Sequence, residues 1–281
     1  MSGGPPALPS ELGRVTGARR VSGGDLNEAW AVELEGGGRA FVKTRTGAPP
    51  GEYATEAAGL AWLGEAGAVR VPRVLAAGDD HLALEWIEPG TLGAPGAQEL
   101  GRGLAALHQA GAPAFGAAWP MHLGPVVLSN EPCGDWPAFY AQRRLLPLAA
   151  RARDAGAMSA AGVRAVERVA ERMSELAGPP EPPARLHGDL WGGNVLAGSD
   201  GRPWLIDPAA HGGHREVDLA MLRLFGAPDP RTLAAYAEAH PLAAGHEERV
   251  ELWQLLPLLV HAVLFGGGYG ASAERAARRY G

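Results

Sequence analysis

The spacing of apolar residues divides the chain into a strand-rich first third and a longer helical remainder. Val21 to Val32 reads as strand, glycine-bearing turn and strand, and Arg39-Ala40-Phe41-Val42-Lys43 follows as a further strand of β-favouring residues. Pro49-Pro50 then suit the start of a helix whose apolar face is Tyr53, Ala57, Leu60, Ala61 and Leu63. Leu82-Ala83-Leu84-Glu85-Trp86-Ile87 reads as a buried strand running into the turn Pro89-Gly90. Beyond it, residues 97–110 and 160–176 have helical composition, and the proline-rich run 178–183 makes a stiff connector. Val195-Leu196-Ala197 and Pro203-Trp204-Leu205-Ile206 flank the turn Gly198-Ser199-Asp200-Gly201, which predicts a hairpin. Residues 251–265 are so apolar that they predict a buried helix, kinked at Pro257, with His261 packed inside.

The chemistry concentrates in Leu186-His187-Gly188-Asp189-Leu190-Trp191-Gly192-Gly193-Asn194, with Asp207 thirteen residues past Asn194. An Asp, an Asn five residues later and an Asp closing an apolar strand follow the order of the H-R-D-x-x-x-x-N and D-F-G motifs of protein-kinase-like enzymes. Gly188 stands where those have Arg, and Pro208-Ala209 where they have Phe-Gly. Phosphoryl transfer needs a hydroxyl held in line with a γ-phosphoryl group while magnesium neutralises the phosphate oxygens. Asp189 is therefore the candidate base. Asn194 and Asp207 are the candidate hard-oxygen ligands for Mg2+, an ion that keeps several waters and needs few protein donors. His187 reads as a support of the loop rather than a base.

Composition changes the weight of one residue. Of 25 basic residues, 24 are arginine and one, Lys43, is lysine. A coding bias toward Ala, Gly, Pro and Arg explains the general avoidance of lysine but not Lys43 itself, which has Arg39 and Arg45 close by. A compact ammonium on a strand, pairing α- and β-phosphates, is what a kinase site requires there. Gly23 and Gly24, in the preceding turn, are candidates to lay backbone amides over the phosphates. Glu56 on the following helix is the candidate partner of Lys43, with Glu52 and Glu65 read as solvated carboxylates. The backbone of Glu85, Trp86 and Ile87 is placed to meet adenine.

Further segments extend the pattern: Leu205-Ile206-Asp207-Pro208-Ala209, Gly213-His214-Arg215-Glu216-Val217-Asp218-Leu219-Ala220-Met221 and Leu259-Val260-His261-Ala262-Val263-Leu264-Phe265-Gly266-Gly267. With the catalytic-loop Trp, these resemble the fructosamine-3-kinase (ketosamine-3-kinase) family, a branch of the aminoglycoside-phosphotransferase and choline-kinase-like proteins, over nearly the whole chain. The resemblance implies an α+β, two-lobed protein-kinase-like fold. A small mixed β-sheet N-lobe for the nucleotide would span 1–87, and a larger, mainly helical catalytic and substrate-binding C-lobe 88–281. It implies ATP-dependent phosphorylation, with Mg2+, of the 3-hydroxyl of a ketosamine, free or protein-bound. Ribulosamine, erythrulosamine and fructosamine adducts are the candidates, and breakdown of the phosphorylated adduct would release the amine, which is deglycation. Trp136, Phe139, Tyr140 and Arg144 resemble the family's substrate-side helix. Trp191, beside the base, is a candidate to stack on the sugar. His214 and Glu216 are further substrate-side candidates, although Glu216 and Asp218 read equally well as a structural capping pair. The phosphate loop lacks the cysteine that some eukaryotic relatives carry, so redox switching through it is not expected. Two alternatives stand beside this reading: a kinase for another hydroxylated amine, such as an aminoglycoside or choline-like compound, and a nucleotide-binding regulatory pseudokinase.

The remaining features limit partners. A net charge of −6 argues against a nucleic-acid surface, and Arg143, Arg144, Arg151 and Arg153 read as a solvated helix face. Cys133 is the sole cysteine, which excludes an intramolecular disulfide and fits a reducing cytoplasm. No run approaches the roughly 18 apolar residues of a membrane span, and Pro5, Pro6 and Pro9 occupy the place of a secretory apolar core. His211 and His214 lack the cysteine or third ligand that a zinc site needs.

Overall fold

The computed structural model describes residues 8–21, 27–226 and 228–281, so the expected phosphate-loop glycines Gly23 and Gly24 lie outside the described residues. Five strands, β1 (Val15–Val21), β2 (Glu28–Leu34), β3 (Arg39–Thr44), β4 (Val74–Ala77) and β5 (His81–Glu85), form one sheet, with helix α1 (Glu52–Glu65) between β3 and β4. The strand order is β1-β2-β3-β5-β4 and every pair is antiparallel. The sheet expected to be mixed is thus antiparallel throughout, because β4 and β5 fold back as a hairpin that lays β5 against β3.

Alternation along β3 decides what each face does. Ala40 and Val42 pack with Trp30, Val32 and Ala83 on one side. Phe41 points to the other, where Tyr53 and Leu60 of α1 meet Leu82 and Leu84. Lys43, two residues after Phe41, shares that helix-covered face.

The rest of the chain is mainly helical: α2 (Ala94–Gln109), the short hairpin β6 (Met121–Leu123) and β7 (Val126–Leu128), α3 (Trp136–Tyr140), α4 (Leu146–Asp154), α5 (Ala160–Glu171) and α6 (Met173–Leu176). Then come β8 (Ala184–Leu186), β9 (Val195–Ala197), β10 (Pro203–Leu205), β11 (His211–Gly213), α7 (Glu216–Leu222), α8 (Pro230–Ala239), α9 (Val250–Trp253), α10 (Leu255–Phe265) and α11 (Tyr269–Tyr280). The expected hairpin around Gly198–Gly201 is β9 on β10, in the register Leu205↔Val195. The apolar run 251–265 breaks at Gln254, before Pro257 rather than at it. Pro257 falls in the first turn of α10, where a missing N–H costs little.

Two expectations fail here. Trp136, Phe139 and Tyr140 are at most 4% exposed and belong to the main hydrophobic core. Arg144 is buried with them, its guanidinium 4.5 Å from the Phe139 ring centroid and donating to Ser129 O at 2.8 Å. That helix carries the core and not a substrate face, because its aromatic spacing was chosen by packing. The expected solvated arginine face fails at Arg144 alone, since Arg151 and Arg153 are exposed and Arg143 pairs with Glu131 at the surface.

Helix α1 is held from both sides. Its Leu63 joins Leu104, Leu107, Leu190, Leu205 and Tyr236 in a second buried cluster that belongs to the helical part. Leu63 is 1% exposed. Leu63→Ala should therefore lower stability by about 2–5 kcal/mol through lost burial and a residual cavity. Urea denaturation should show a lower midpoint with an unchanged slope; an unshifted midpoint would mean that α1 is not anchored there.

Candidate active site

Lys43 sits between two carboxylates. Its Nζ lies 2.5 Å from Glu56 Oε2 and 3.0 Å from Asp207 Oδ1, with the lysine side chain 7% exposed. β3 supplies the ammonium, α1 the first carboxylate and the turn after β10 the second. Burial pulls the lysine pKa down, but the charges of Asp207 and Glu56 override it and hold the pKa above its ordinary value. Burial pushes the Glu56 carboxyl up, against the pull of Lys43, and its Oε1 has no hydrogen-bond partner. Asp207, with its side chain 43% exposed, goes the other way: against the cost of partial desolvation, the Lys43 ammonium keeps its carboxyl below the usual range. Asp207 is also the one non-glycine among the described residues at positive φ, 53°. Strain of that kind persists where surrounding contacts over-determine the backbone.

Glu52, expected to be solvated, is instead buried beside the site in a close ion pair with Arg45. On the same helix the Tyr53 hydroxyl donates to Asn27 Oδ1 at 3.0 Å, which ties α1 to the start of β2.

The catalytic-loop candidates hang from a buried carboxylate. Asp218 on α7 is fully buried and accepts the backbone N–H groups of His187 at 2.7 Å and Gly188 at 2.9 Å. His108 Nε2 lies 3.3 Å from the same carboxylate, and its Nδ1 is 2.8 Å from the Tyr236 hydroxyl. Those donors hold the Asp218 pKa low against the cost of burial. Of the two readings the sequence allowed Asp218, the capping one fits this geometry. Gly188 has φ 84°, and a Cβ there would stand 2.1 Å from Ala209 O, so the arginine of the protein-kinase motif has no room. His187 donates from Nε2 to Ile206 O at 2.9 Å, and its pKa is lowered by burial, as a supporting residue requires.

Asn194 folds back on the loop: its Nδ2 donates to Asp189 O at 2.8 Å and to Asp189 Oδ2 at 3.2 Å. Its side-chain oxygen is left to other partners. Burial first, then the charge of Asp207, push the Asp189 carboxyl up to about 7. Two hard oxygens, from Asn194 and Asp207, suit an ion that completes its shell with phosphate and water. Among the described residues no group of three or more His, Cys, Asp or Glu is gathered to cage a metal by itself.

Lys43, Glu56, Asp189, Trp191, Asn194 and Asp207 all line one cavity of about 410 Å³. A larger groove of about 840 Å³, bounded by α1, residues 67–74 and β10, holds none of these side chains, so chemistry and not size selects the site. Of the expected adenine-contacting backbone, the Glu85 N–H is donated to Arg73 O at 2.9 Å, and Trp86 lies under Arg39 at 5.2 Å. His214 and Glu216 do not reach the cavity. His214 stacks on Trp253, with ring centroids 5.3 Å apart. Glu216 is buried in a bidentate pair with Arg249 and accepts from Trp253 Nε1 at 2.8 Å. Both are interior supports, because the run that carries them enters the core as α7. Conversely, His122, Phe225, His261, Phe265 and Tyr269 line the cavity unannounced. They come from four separate stretches, and only the fold joins them.

A model of the fructosamine kinase family matches residues 9–280. A probable ketoamine kinase of Thermus thermophilus is 39% identical over 256 residues, covering 91% of each chain. The crystal structure of a putative fructosamine-3-kinase from Thermobifida fusca superposes with a TM-score of 0.89 at 46% identity, covering 95% of this chain and 93% of that one. A choline kinase of Streptococcus pneumoniae shares the fold at 16% identity, with a TM-score of 0.63 over 96% of this chain and 95% of that one. No helix among the described residues is long and apolar enough to cross a membrane.

Lys43→Met tests the shared ammonium, since it strands a buried carboxylate at a cost of about 3–5 kcal/mol at neutral pH. Glu56 already titrates high in the folded chain. Without its cation it should titrate higher still, so the folded state binds more protons than the unfolded one from about pH 4.3 upward, and stability falls as pH rises through that window. Urea midpoints between about pH 5 and 8 should decline more steeply than in the parent. Parallel curves would mean that Glu56 does not rely on Lys43.

Proposed function

The chain belongs to the fructosamine kinase family and is an ATP-dependent kinase of ketosamines, and from that premise we propose which residues carry the reaction. Asp189 is the base. The ketosamine 3-hydroxyl oxygen attacks the γ-phosphorus of ATP, and the bond from that phosphorus to the β,γ-bridging oxygen breaks. ADP leaves with the electron pair while the hydroxyl proton passes to the Asp189 carboxylate. The observation that carries this reading is the convergence of Asp189, Asn194, Asp207 and Lys43 on one cavity.

Lys43, held between Glu56 and Asp207, is poised to meet phosphate oxygens without leaving its place on β3. Asn194 and Asp207 would hold Mg2+, which supplies charge neutralisation on the phosphates when bound. The chain divides after Ile87, with the nucleotide entering beneath β1 to β3 and adenine meeting the backbone of Trp86 and Ile87. Trp191, 39% exposed and two residues past the base, stacks on the sugar. A 3-phosphorylated ketosamine, once enolised toward C1, loses inorganic phosphate from C3, and water then hydrolyses the resulting C1 imine to release the amine and a dicarbonyl sugar, which makes the outcome a deglycation. Ribulosamine and erythrulosamine adducts are the favoured sugars.

ADP release with magnesium and ATP, measured on the ribulosamine, erythrulosamine and fructosamine adducts of lysine with kanamycin and choline as controls, tests the substrate class. NMR should locate the phosphate on the 3-oxygen; transfer only to the controls would move the enzyme to a sister branch. Asp189→Asn should lower kcat by about 10²–10⁴. Because deprotonated Asp189 is the competent form and its carboxyl is raised to about 7, kcat/KM of the parent should fall on the acid side of about pH 7. A profile flat down to pH 5 would remove Asp189 from the base role.

A further inference from the structure

Among the described residues five large hydrophobic side chains are exposed, and three of them, Trp191 (39%), Phe225 (41%) and Phe265 (51%), line the mouth of one cavity. They form a continuous wall. Trp191 meets Phe225 edge to face at 6.1 Å, Phe225 lies 4.8 Å from the His261 ring, and His261 lies 5.4 Å from Phe265 and 5.0 Å from Tyr269. Three separate rings left in water together are a liability unless something apolar covers them in use.

The charge pattern of the cavity says what that is. Its ionic lining, Lys43, Glu52, Glu56, Asp189 and Asp207, lies at the phosphate end and at the base. The aromatic end, by contrast, has no Arg, Lys, Asp or Glu among its described lining residues. His261 donates from Nδ1 to Pro257 O at 2.8 Å, and burial lowers the pKa of its ring, which favours the uncharged form. Only C2 and C1 separate the reacting C3 oxygen's carbon from the amine nitrogen of a ketosamine. With the 3-hydroxyl at Asp189 and the sugar along Trp191, the group carried on that nitrogen therefore extends over Phe225 and Phe265.

Resting on the ketosamine-kinase reading, we propose that the Phe225–Phe265 wall selects ketosamines whose amine carries a neutral apolar or aromatic substituent and disfavours those with a carboxylate beside the nitrogen. An aromatic or alkyl group gains contact with the rings, and the adjacent secondary ammonium gains their negative faces. A carboxylate in the same place loses water and finds no cation.

The ribulosamine adducts of benzylamine and of glycine differ only in the group borne by the same CH₂, phenyl or carboxylate. With the full chain, magnesium and ATP, kcat/KM should favour the benzylamine adduct by about tenfold or more. In the double variant Phe225→Ala, Phe265→Ala that ratio should shrink below about threefold. A ratio taken within one preparation is indifferent to how much of the variant folds. Equal kcat/KM for the two adducts in the parent, or an unchanged ratio in the variant, overturns the proposal and leaves the ketosamine-kinase reading standing. Turnover of neither adduct, nor of any other ketosamine, overturns both.

Discussion

One ammonium shared by two carboxylates from different elements is the constraint on which the rest of this structure depends. Lys43 is too buried to be left alone, and its charge is tolerable only with Glu56 and Asp207 both in reach. That requirement brings together β3, α1 and the turn after β10, three pieces far apart in sequence. Each is then pinned by ordinary packing: α1 through Tyr53 and Leu60 against the sheet and Leu63 against the helical part, and the β9–β10 hairpin through Leu205 in the same buried cluster as Leu63. The two carboxylates do not share that cation equally, because burial weighs most on Glu56 and the ammonium most on Asp207. Glu56 is pushed up, Asp207 is pulled down, and Asp207 is held at positive φ.

The second fixed point is Asp218. The loop that carries Asp189, the proposed base, has to be rigid there, yet its backbone N–H groups cannot all find partners inside the loop. Asp218 supplies a carboxylate from the rigid α7 for two of them, and Gly188 supplies the backbone freedom to present them. The arrangement extends outward through His108 of α2 to Tyr236 of α8, so two further helices bear on the loop. Asn194 closes it from the other end by donating to Asp189.

Legibility followed the scale of the interaction. The spacing of Asp189, Asn194 and Asp207 and the solitary Lys43 were readable because ionic chemistry restricts residue type as well as position. The hairpin at Gly198–Gly201 and the strand at Arg39–Lys43 were readable because turn residues and period-two alternation are local. What failed was long-range. Nothing in the run around His214 and Glu216 says that Arg249 and Trp253 wait inside to receive them. The aromatic spacing of Trp136, Phe139 and Tyr140 fits a core as well as a substrate face, and the core claimed it. Phe225, Phe265 and Tyr269 are single aromatics in unremarkable segments, and only the fold assembles them.

The separation of an ionic end from an uncharged end also protects the chemistry. At an effective dielectric of about 20, a unit charge roughly 6 Å from a carboxylate interacts with it by about 2.8 kcal/mol, or about two pKa units. With Asp189 as the proposed base, its carboxyl raised to about 7 by burial and by Asp207, a fixed ion in the aromatic wall would displace it from neutrality. A cation there would drop Asp189 into weak basicity, and an anion would keep it protonated at neutral pH. Aromatic rings, and an imidazole whose pKa burial lowers, would contact a substrate without doing either. On the proposed reading the wall meets two demands at once, contact with the acceptor and electrical silence toward Asp189. Aromatic side chains meet both, because their attraction is short-ranged where that of an ion is not.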